Sequence, residues 1–315
     1  MEPAVLAIDI GGTKLALGLV DAEGRILQRD EIPTRATEGP ERVLARLVEL
    51  ARTMRDRVAP SHALHRVGIA CAGPLDRAAG LILNPPNLPG WTRIALVDCL
   101  EQALGLPAVL DNDANAAALG EFRYGAGQGA RSLVYLTVST GIGGGIILDG
   151  RLWHGFGDSA GEIGHMTIDP NGPLCGCGNQ GCLEALASGP AIARQAREAL
   201  RSGRQSRLRD LPEATAADVV RLAQEGDGLA AEVWSASVHA LALGVGAAIT
   251  ILAPERVIIG GGVTQAGDAL FVPLRREVRR RVKLVAVESV PILPAALGRD
   301  VGILGAAALA LESDG

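Results

Sequence analysis

One pattern occurs twice in this 315-residue chain: an apolar run, a glycine-rich turn, a second apolar run, and an acidic residue leading into glycine. The first copy runs through residues 4–10, Gly11-Gly12-Thr13-Lys14, residues 15–20 and the turn Asp21-Ala22-Glu23-Gly24. The second begins about 130 residues later with residues 132–138, then Ser139-Thr140-Gly141, Gly143-Gly144-Gly145, residues 146–148 and Asp149-Gly150. Short apolar runs bounded by Gly and Asp read as strands joined by tight turns. Their duplication predicts two related α/β domains with a cleft between them, in a chain whose length suits about two domains.

Residues 26–32 add a third strand to the first copy. Residues 41–58 have helical spacing, with Val43, Leu44, Leu47, Val48, Leu50 and Met54 on one side. Residues 67–70 and 107–110 read as short buried strands. Between them Pro85, Pro86, Pro89 and Gly90 enforce a loop, and a helix follows over 94–104. Helices dominate 190–253, and a strand at 257–259 ends in Gly260-Gly261-Gly262 ahead of another helix. The final helix, 301–311, is expected to pack back on the first domain. No low-complexity linker divides the chain, so the domains are expected in close contact. The boundary falls near Asp111, giving a small N-terminal domain of 1–111 plus 301–315 and a larger C-terminal domain of 112–300.

With aromatic residues at only 3%, the core must be built from Ala, Val, Leu and Ile. A formal net charge of −5 argues against a nucleic-acid partner, because a phosphate backbone wants a basic face. An anionic nucleotide would have to be held locally, by backbone N–H groups and a metal. The N-terminus enters a strand directly, without the basic flank and apolar stretch of a secretory signal. The apolar region 241–252 is too short and glycine-rich for a membrane span and reads as a buried helix. The expected location is the cytoplasm. There, three of the five cysteines clustered at Cys175, Cys177 and Cys182 point to a metal rather than a disulfide.

The turn Asp9-Ile10-Gly11-Gly12-Thr13-Lys14 lies between two strands, which excludes a P-loop or a dinucleotide-binding fingerprint, since both need a helix after the glycines. A tight glycine hairpin still exposes N–H groups to phosphate oxygens, and Thr13 adds a hydroxyl. Asp9 can hold Mg²⁺ directly or through water. The alternative is an ordinary hairpin. The turn at Thr140, Gly141 and Gly143 offers the same chemistry from the second copy. Gly261 and Gly262 let a flat group approach the backbone, because no Cβ intrudes.

Asp111-Asn112-Asp113-Ala114-Asn115 opens an alanine-rich helix, and one helix cap does not account for four polar groups in five positions. Phosphoryl transfer to an alcohol needs a carboxylate that orients the hydroxyl and accepts its proton. Further along, His165 with Cys175, Cys177 and Cys182 fits a tetrahedral structural zinc site, the intervening glycines allowing the tight curvature. Buried free thiols are the alternative. Cys71 and Cys99 read as core residues, and His62, His65, His154 and His239, which lie in no motif, are expected to have no catalytic task.

Residues 9–14, 139–145 and 260–262 resemble the two phosphate elements and the adenosine element of the actin-like ATPase superfamily. Within it, the chain resembles the ROK family of sugar kinases and repressors, from Ile8 to about Ala308. The resemblance implies two actin-like (ribonuclease H-like) α/β domains with a structural zinc loop. It makes Asp113 the general base and Asn112 a sugar ligand, and assigns the sugar site also to Gly73, Asn87, Glu162, His165 and Glu184. Cofactor-binding positions are Asp9, Gly11, Gly12, Thr13, Lys14, Thr140, Gly141, Gly143, Gly261 and Gly262, with ATP, Mg²⁺ and structural Zn²⁺ as cofactors. The zinc would shape the recognition loop, His165 giving one ring nitrogen to the metal and the other to the sugar.

The expected reaction is ATP-dependent phosphorylation of a hexose, glucose to glucose 6-phosphate, as in glycolytic carbohydrate metabolism. N-acetylmannosamine, N-acetylglucosamine and fructose kinases share these motifs and stand as alternatives. A sugar-responsive repressor would carry an extra N-terminal helix-turn-helix, and Ile8 leaves no room for one. The family is commonly dimeric or tetrameric, and a homodimer is carried over on that ground.

Overall fold

The computed structural model describes residues 1–58 and 62–312; the last residues of the expected first domain, 313–315, lie outside the described range. The chain divides into two compact units. The first comprises Met1–Gly129, His154–Ser159 and Ala296–Gly315, and the second Ala130–Trp153 and Ala160–Ala295.

In the first unit the strands are β1 (Glu2–Ile10), β2 (Lys14–Asp21), β3 (Ile26–Pro33) and β4 (His62–Cys71). Three two-residue strands follow, β5 (Leu75–Asp76), β6 (Leu81–Ile82) and β7 (Ile94–Ala95), and then β8 (Ala108–Asn112). The five longer strands form one mixed sheet in the order β3-β2-β1-β4-β8. β1 runs antiparallel to β2 and parallel to β4, which is parallel to β8. The central strand β1 is buried on both faces, Ala4 through Ile8 being at most 1% exposed, as a strand covered on both sides requires. One cover is α1 (Pro40–Asp56), which starts with proline at its first position and buries Val43, Leu47, Ala51 and Met54. α2 (Leu96–Leu104) lies on the same core.

The other cover is the C-terminal helix Val301–Glu312, packed against β1, β4 and the alanine-rich helix α3 (Asp113–Tyr124). Small residues set how closely it sits. A Cβ on Gly68 of β4 would lie 1.8 Å from the Ala306 carbonyl oxygen, and one on Gly305 would lie 2.4 Å from that of Ala116. This packing draws α3 and the chain up to Gly129 into the first unit, beyond the strand that ends at Asn112. β4 is longer than the apolar run 67–70, because its first half pairs with β1 through backbone groups while carrying half-exposed His62 and Arg66. Glu121 of α3 is fully buried, and its carboxylate accepts hydrogen bonds from the N–H groups of Ala126, Ala296 and Leu297 at 2.8, 3.1 and 2.9 Å.

The second unit repeats the plan. Its strands are β9 (Leu133–Val138), β10 (Ile142–Leu148), β11 (Arg151–Leu152), β12 (Arg256–Gly260) and β13 (Ile292–Pro294), in the order β11-β10-β9-β12-β13. The directions match those of the first sheet: β9 antiparallel to β10 and parallel to β12, and β12 parallel to β13. The duplicated turn pattern therefore marks a duplicated sheet. The helices are α4 (Leu183–Ala187), α5 (Gly189–Arg201), α6 (Ala216–Gln224), α7 (Gly228–Leu252) and α8 (Asp268–Arg281). α7 spans 25 residues and is long and apolar enough to cross a membrane by length and composition; here Val233, Leu241, Val245 and Ile249 are buried in the unit's core.

The second glycine turn is shorter than its sequence suggests. The glycines 143–145 were expected in the second turn, yet β10 begins at Ile142 and Gly143 pairs with Thr137 inside the ladder. Gly144 needs its lack of a side chain for packing, since a Cβ there would meet the Gly161 carbonyl oxygen at 2.6 Å. The turn itself shrinks to Ser139–Gly141, closed by Ser139 N–H on the Gly141 carbonyl at 2.9 Å.

Gly68→Ala should force the C-terminal helix off the sheet. We expect a loss of about 1–3 kcal/mol or more in the first unit's stability, read as a lower denaturant midpoint in urea unfolding followed by circular dichroism.

Candidate active site

The first unit's sheet brings several predicted residues to one edge. Asp9 of β1 pairs with Ala70 of β4, and Ala70 pairs with Asp111 of β8, so the carboxyl ends of three neighbouring strands are level. Ligand sites of open α/β sheets form beyond these ends. The Asn112 side chain caps α3, accepting from Ala114 N–H at 2.8 Å and Asn115 N–H at 3.4 Å. Asp113 follows at the first helical position; it is exposed, whereas Ala114 to Glu121 are buried. Its Oδ1 accepts from Ala114 N–H at 2.8 Å. Carboxylate and helix N-terminus are complementary in charge.

Gly73 stands beside this pair, since a Cβ on it would lie 3.4 Å from Asn112 Nδ2. Asn87 approaches the glycine hairpin: a Cβ on Gly12 would lie 2.8 Å from the Asn87 carbonyl oxygen. The hairpin is closed by Gly11 N–H on the Lys14 carbonyl at 2.9 Å and by the Thr34 hydroxyl on the Gly11 carbonyl at 2.6 Å. Thr13 is exposed, and the Lys14 ammonium pairs with Glu31 at 3.4 Å. Burial, then the charge of Asp113, pushes the Asp9 carboxyl up to about 6, against a smaller opposing pull from Lys14.

The second unit carries the remaining predicted residues. The N–H of Gly189, at the start of α5, donates to the Ser139 carbonyl at 2.8 Å, which puts a helix N-terminus beside the second turn. A cavity of about 750 Å³ opens there. Ser139, Thr140, Gly189 and Gly262 line it, Pro190, Ala193, Val220 and Val263 are its apolar walls, and Arg197, Glu213 and Gln224 are among its polar groups. Gly261, at φ 87°, fits against Val138, whose carbonyl oxygen would meet a Cβ at 2.4 Å. Exposed turn amides, a helix N-terminus and a mostly apolar recess suit a phosphate-bearing ligand with a flat organic end.

His165, Cys175, Cys177 and Cys182 converge, their ligand atoms all within 4.8 Å of one another. With zinc–ligand bonds of about 2.1–2.3 Å, a tetrahedron has edges of about 3.6–3.8 Å. Cys175 Sγ lies 3.7 Å from His165 Nδ1, and Cys177 Sγ lies 3.7 Å from Cys182 Sγ. The donor set and spacing fit Zn²⁺. Asn179 Nδ2 sits 3.5 Å from Cys182 Sγ, a second contact that a thiolate would accept. His165 Nε2 faces away from the thiols, 3.8 Å from exposed Glu162. Glu184 accepts from Ile142 N–H at 2.8 Å through one oxygen, and its other oxygen lies 3.8 Å from Cys175 Sγ.

The structure thus groups Asp9, Gly11, Gly12, Thr13, Lys14, Gly73, Asn87, Asn112 and Asp113 on the first unit. Thr140, Gly141, Gly143, Glu162, His165, Glu184, Gly261, Gly262 and the three cysteines lie on the second. Sequence reasoning missed the cavity walls on α5 and α6, and it missed His154. Its Nε2 lies 2.6 Å from Asp111 Oδ2, a contact that no motif around it signals.

Replacing Asp113 by Asn removes the second-largest cause of the Asp9 shift. The Asp9 midpoint should then fall below about 6 while staying above the ordinary carboxylate range, because burial persists. Carbonyl-detected NMR titration reads this directly, and an unchanged midpoint would show that the two carboxylates do not interact.

Known proteins match the chain over nearly its whole length. The model of the ROK family matches residues 5–313. A glucokinase of Thermotoga maritima is 39% identical, across 99% of this chain and 98% of its own length. An N-acetylmannosamine kinase of Salmonella heidelberg is also 39% identical, across 97% of each chain. The crystal structure of a ROK family glucokinase from Streptomyces griseus in complex with glucose and AMPPNP superposes with a TM-score of 0.80 at 34% identity, covering 98% of this chain and 99% of that one. The chain belongs to the ROK family, and it is a sugar kinase of that family.

Proposed function

We propose that the chain transfers the γ-phosphoryl group of ATP to a hydroxyl of glucose, giving ADP and glucose 6-phosphate. The observation that carries the reading is Asp113, an exposed carboxylate at the head of α3, at the same sheet edge as Asp9 and next to Asn112, whose side chain Gly73 approaches. Asp113 accepts the hydroxyl proton as the oxygen attacks the γ-phosphorus and the bond to the β,γ-bridging oxygen breaks. Asn112 and Asn87 orient the sugar. Gly12 and Thr13 offer N–H and hydroxyl donors to phosphate, the Gly11 N–H being used to close its own turn. Asp9 would hold Mg²⁺ through a carboxylate oxygen, and that ion would supply positive charge against the phosphates.

In the second unit, Thr140, Gly141 and the N-terminus of α5 receive phosphate oxygens, and the cavity beside Gly262 receives the adenosine. Glu162, His165 and Glu184 bind sugar hydroxyls, and Zn²⁺ held by His165, Cys175, Cys177 and Cys182 would keep the loop in shape. Support comes from the glucokinase relatives and from the glucose and AMPPNP held by the Streptomyces griseus protein. N-acetylmannosamine is the second reading, favoured by a relative of equal identity that phosphorylates it by name.

A coupled ADP-release assay over glucose, mannose, fructose, N-acetylglucosamine and N-acetylmannosamine decides between them. Glucose should give the highest kcat/KM, and a clear preference for N-acetylmannosamine would transfer the assignment to that sugar. Asp113→Asn should lower kcat about 10²–10⁴-fold with the fold intact; near-wild-type turnover would remove it as the base. Elemental analysis should find one zinc per chain, and Cys177→Ser should lose it and raise the sugar KM. Full sugar affinity in protein verified to be zinc-free would contradict that role.

A further inference from the structure

His154 belongs to a six-residue segment, His154–Ser159, that is part of the first unit although the chain on both sides of it is part of the second. The segment turns sharply, with left-handed backbone at Gly155, Gly157 and Asp158, the last a residue that adopts φ 56° only at some cost. Two side chains anchor it: Asp158 pairs with Arg77 at 3.2 Å, and His154 reaches Asp111 at 2.6 Å.

Asp111 is 3% exposed. Its Oδ1 accepts from Asn112 N–H at 2.7 Å and from Asn115 Nδ2 at 2.9 Å, while Oδ2 meets His154. The first two donors come from the same stretch of chain as Asp111; only the third comes from elsewhere. Without His154, the buried carboxylate could turn within its own local partners, carrying Asn112 and Asn115 with it.

We propose that His154 is a positioning residue for phosphoryl transfer: through Asp111 it fixes the end of β8 and the head of α3, and so the direction in which Asn112 and Asp113 face the sugar. The inference rests on the kinase reading above. His154 acts without touching sugar or nucleotide. It needs only a proton on Nε2, which both the imidazolium and one neutral tautomer provide. Precision of this kind matters because a misplacement of about 1 Å at a reacting group costs about 100-fold in rate.

The test compares three substitutions of different reach. In Gln the amide nitrogen lies close to where the His Nε2 lies, whereas Asn is polar but too short, and Ala removes the donor altogether. With whichever hexose the wild type phosphorylates, His154→Ala and His154→Asn should lower kcat about 10–100-fold and leave the ATP KM unchanged. His154→Gln should stay within about threefold of wild type. Because the effect runs through Asp111, Asp111→Asn combined with His154→Asn should be no slower than the slower single variant. Nitrogen-15 spectra of the wild type should show His154 protonated at Nε2. Wild-type kcat in the Asn variant, a Gln variant as slow as Asn, or additive losses in the double variant would overturn the proposal. A wild type that phosphorylates no hexose would overturn the kinase reading and this proposal together, whereas an active wild type with a fast Asn variant overturns this proposal alone.

Discussion

The register of three parallel strand ends governs everything the first unit can do. Asp9, Ala70 and Asp111 sit side by side because β1, β4 and β8 stop at the same level, with neighbours about 4.8 Å apart. The small residue in the middle leaves room between two acids. A slip of one residue in either pairing would turn one of those side chains to the opposite face of the sheet. Over these strands the C-terminal helix packs so closely on β4 and α3 that neither Gly68 nor Gly305 has room for a Cβ.

The second unit uses the same frame for a different task. Both β1 and β9 run into a glycine turn, but β1 carries an acid near its end where β9 has none; and where β4 ends at Cys71, its counterpart β12 leads into Gly261, which presses against Val138. The copies have diverged at their strand ends and kept their strand order. The metal cluster belongs to this second frame through Glu184, which touches both Cys175 and the first residue of β10.

Much of this was legible in the sequence, because the informative features are local. Glycine turns between apolar runs, four polar groups at one helix start, and three cysteines within eight positions each report themselves over a few residues. What stayed hidden depends on distant parts of the chain. Nothing near His154 indicates a partner 43 positions earlier, and nothing near Glu121 indicates that its carboxylate will hold backbone 175 positions later. Gly143 misled for a physical reason: glycine serves a turn and a close-packed strand equally well, and only the neighbour across the gap distinguishes them. The cavity walls on α5 and α6 escaped because Ala193 and Val220 look like any apolar helix positions until the helices are placed.

Glu121 has a mechanical consequence for the first unit. One stretch of that unit ends at Gly129 and another begins at Ala296, and the N–H groups of Ala126, Ala296 and Leu297 all end on that one carboxylate. Two stretches of backbone far apart in the chain are thus moored to a single post. Neither can fray from its end without pulling on the same anchor, so loosening one slackens the other.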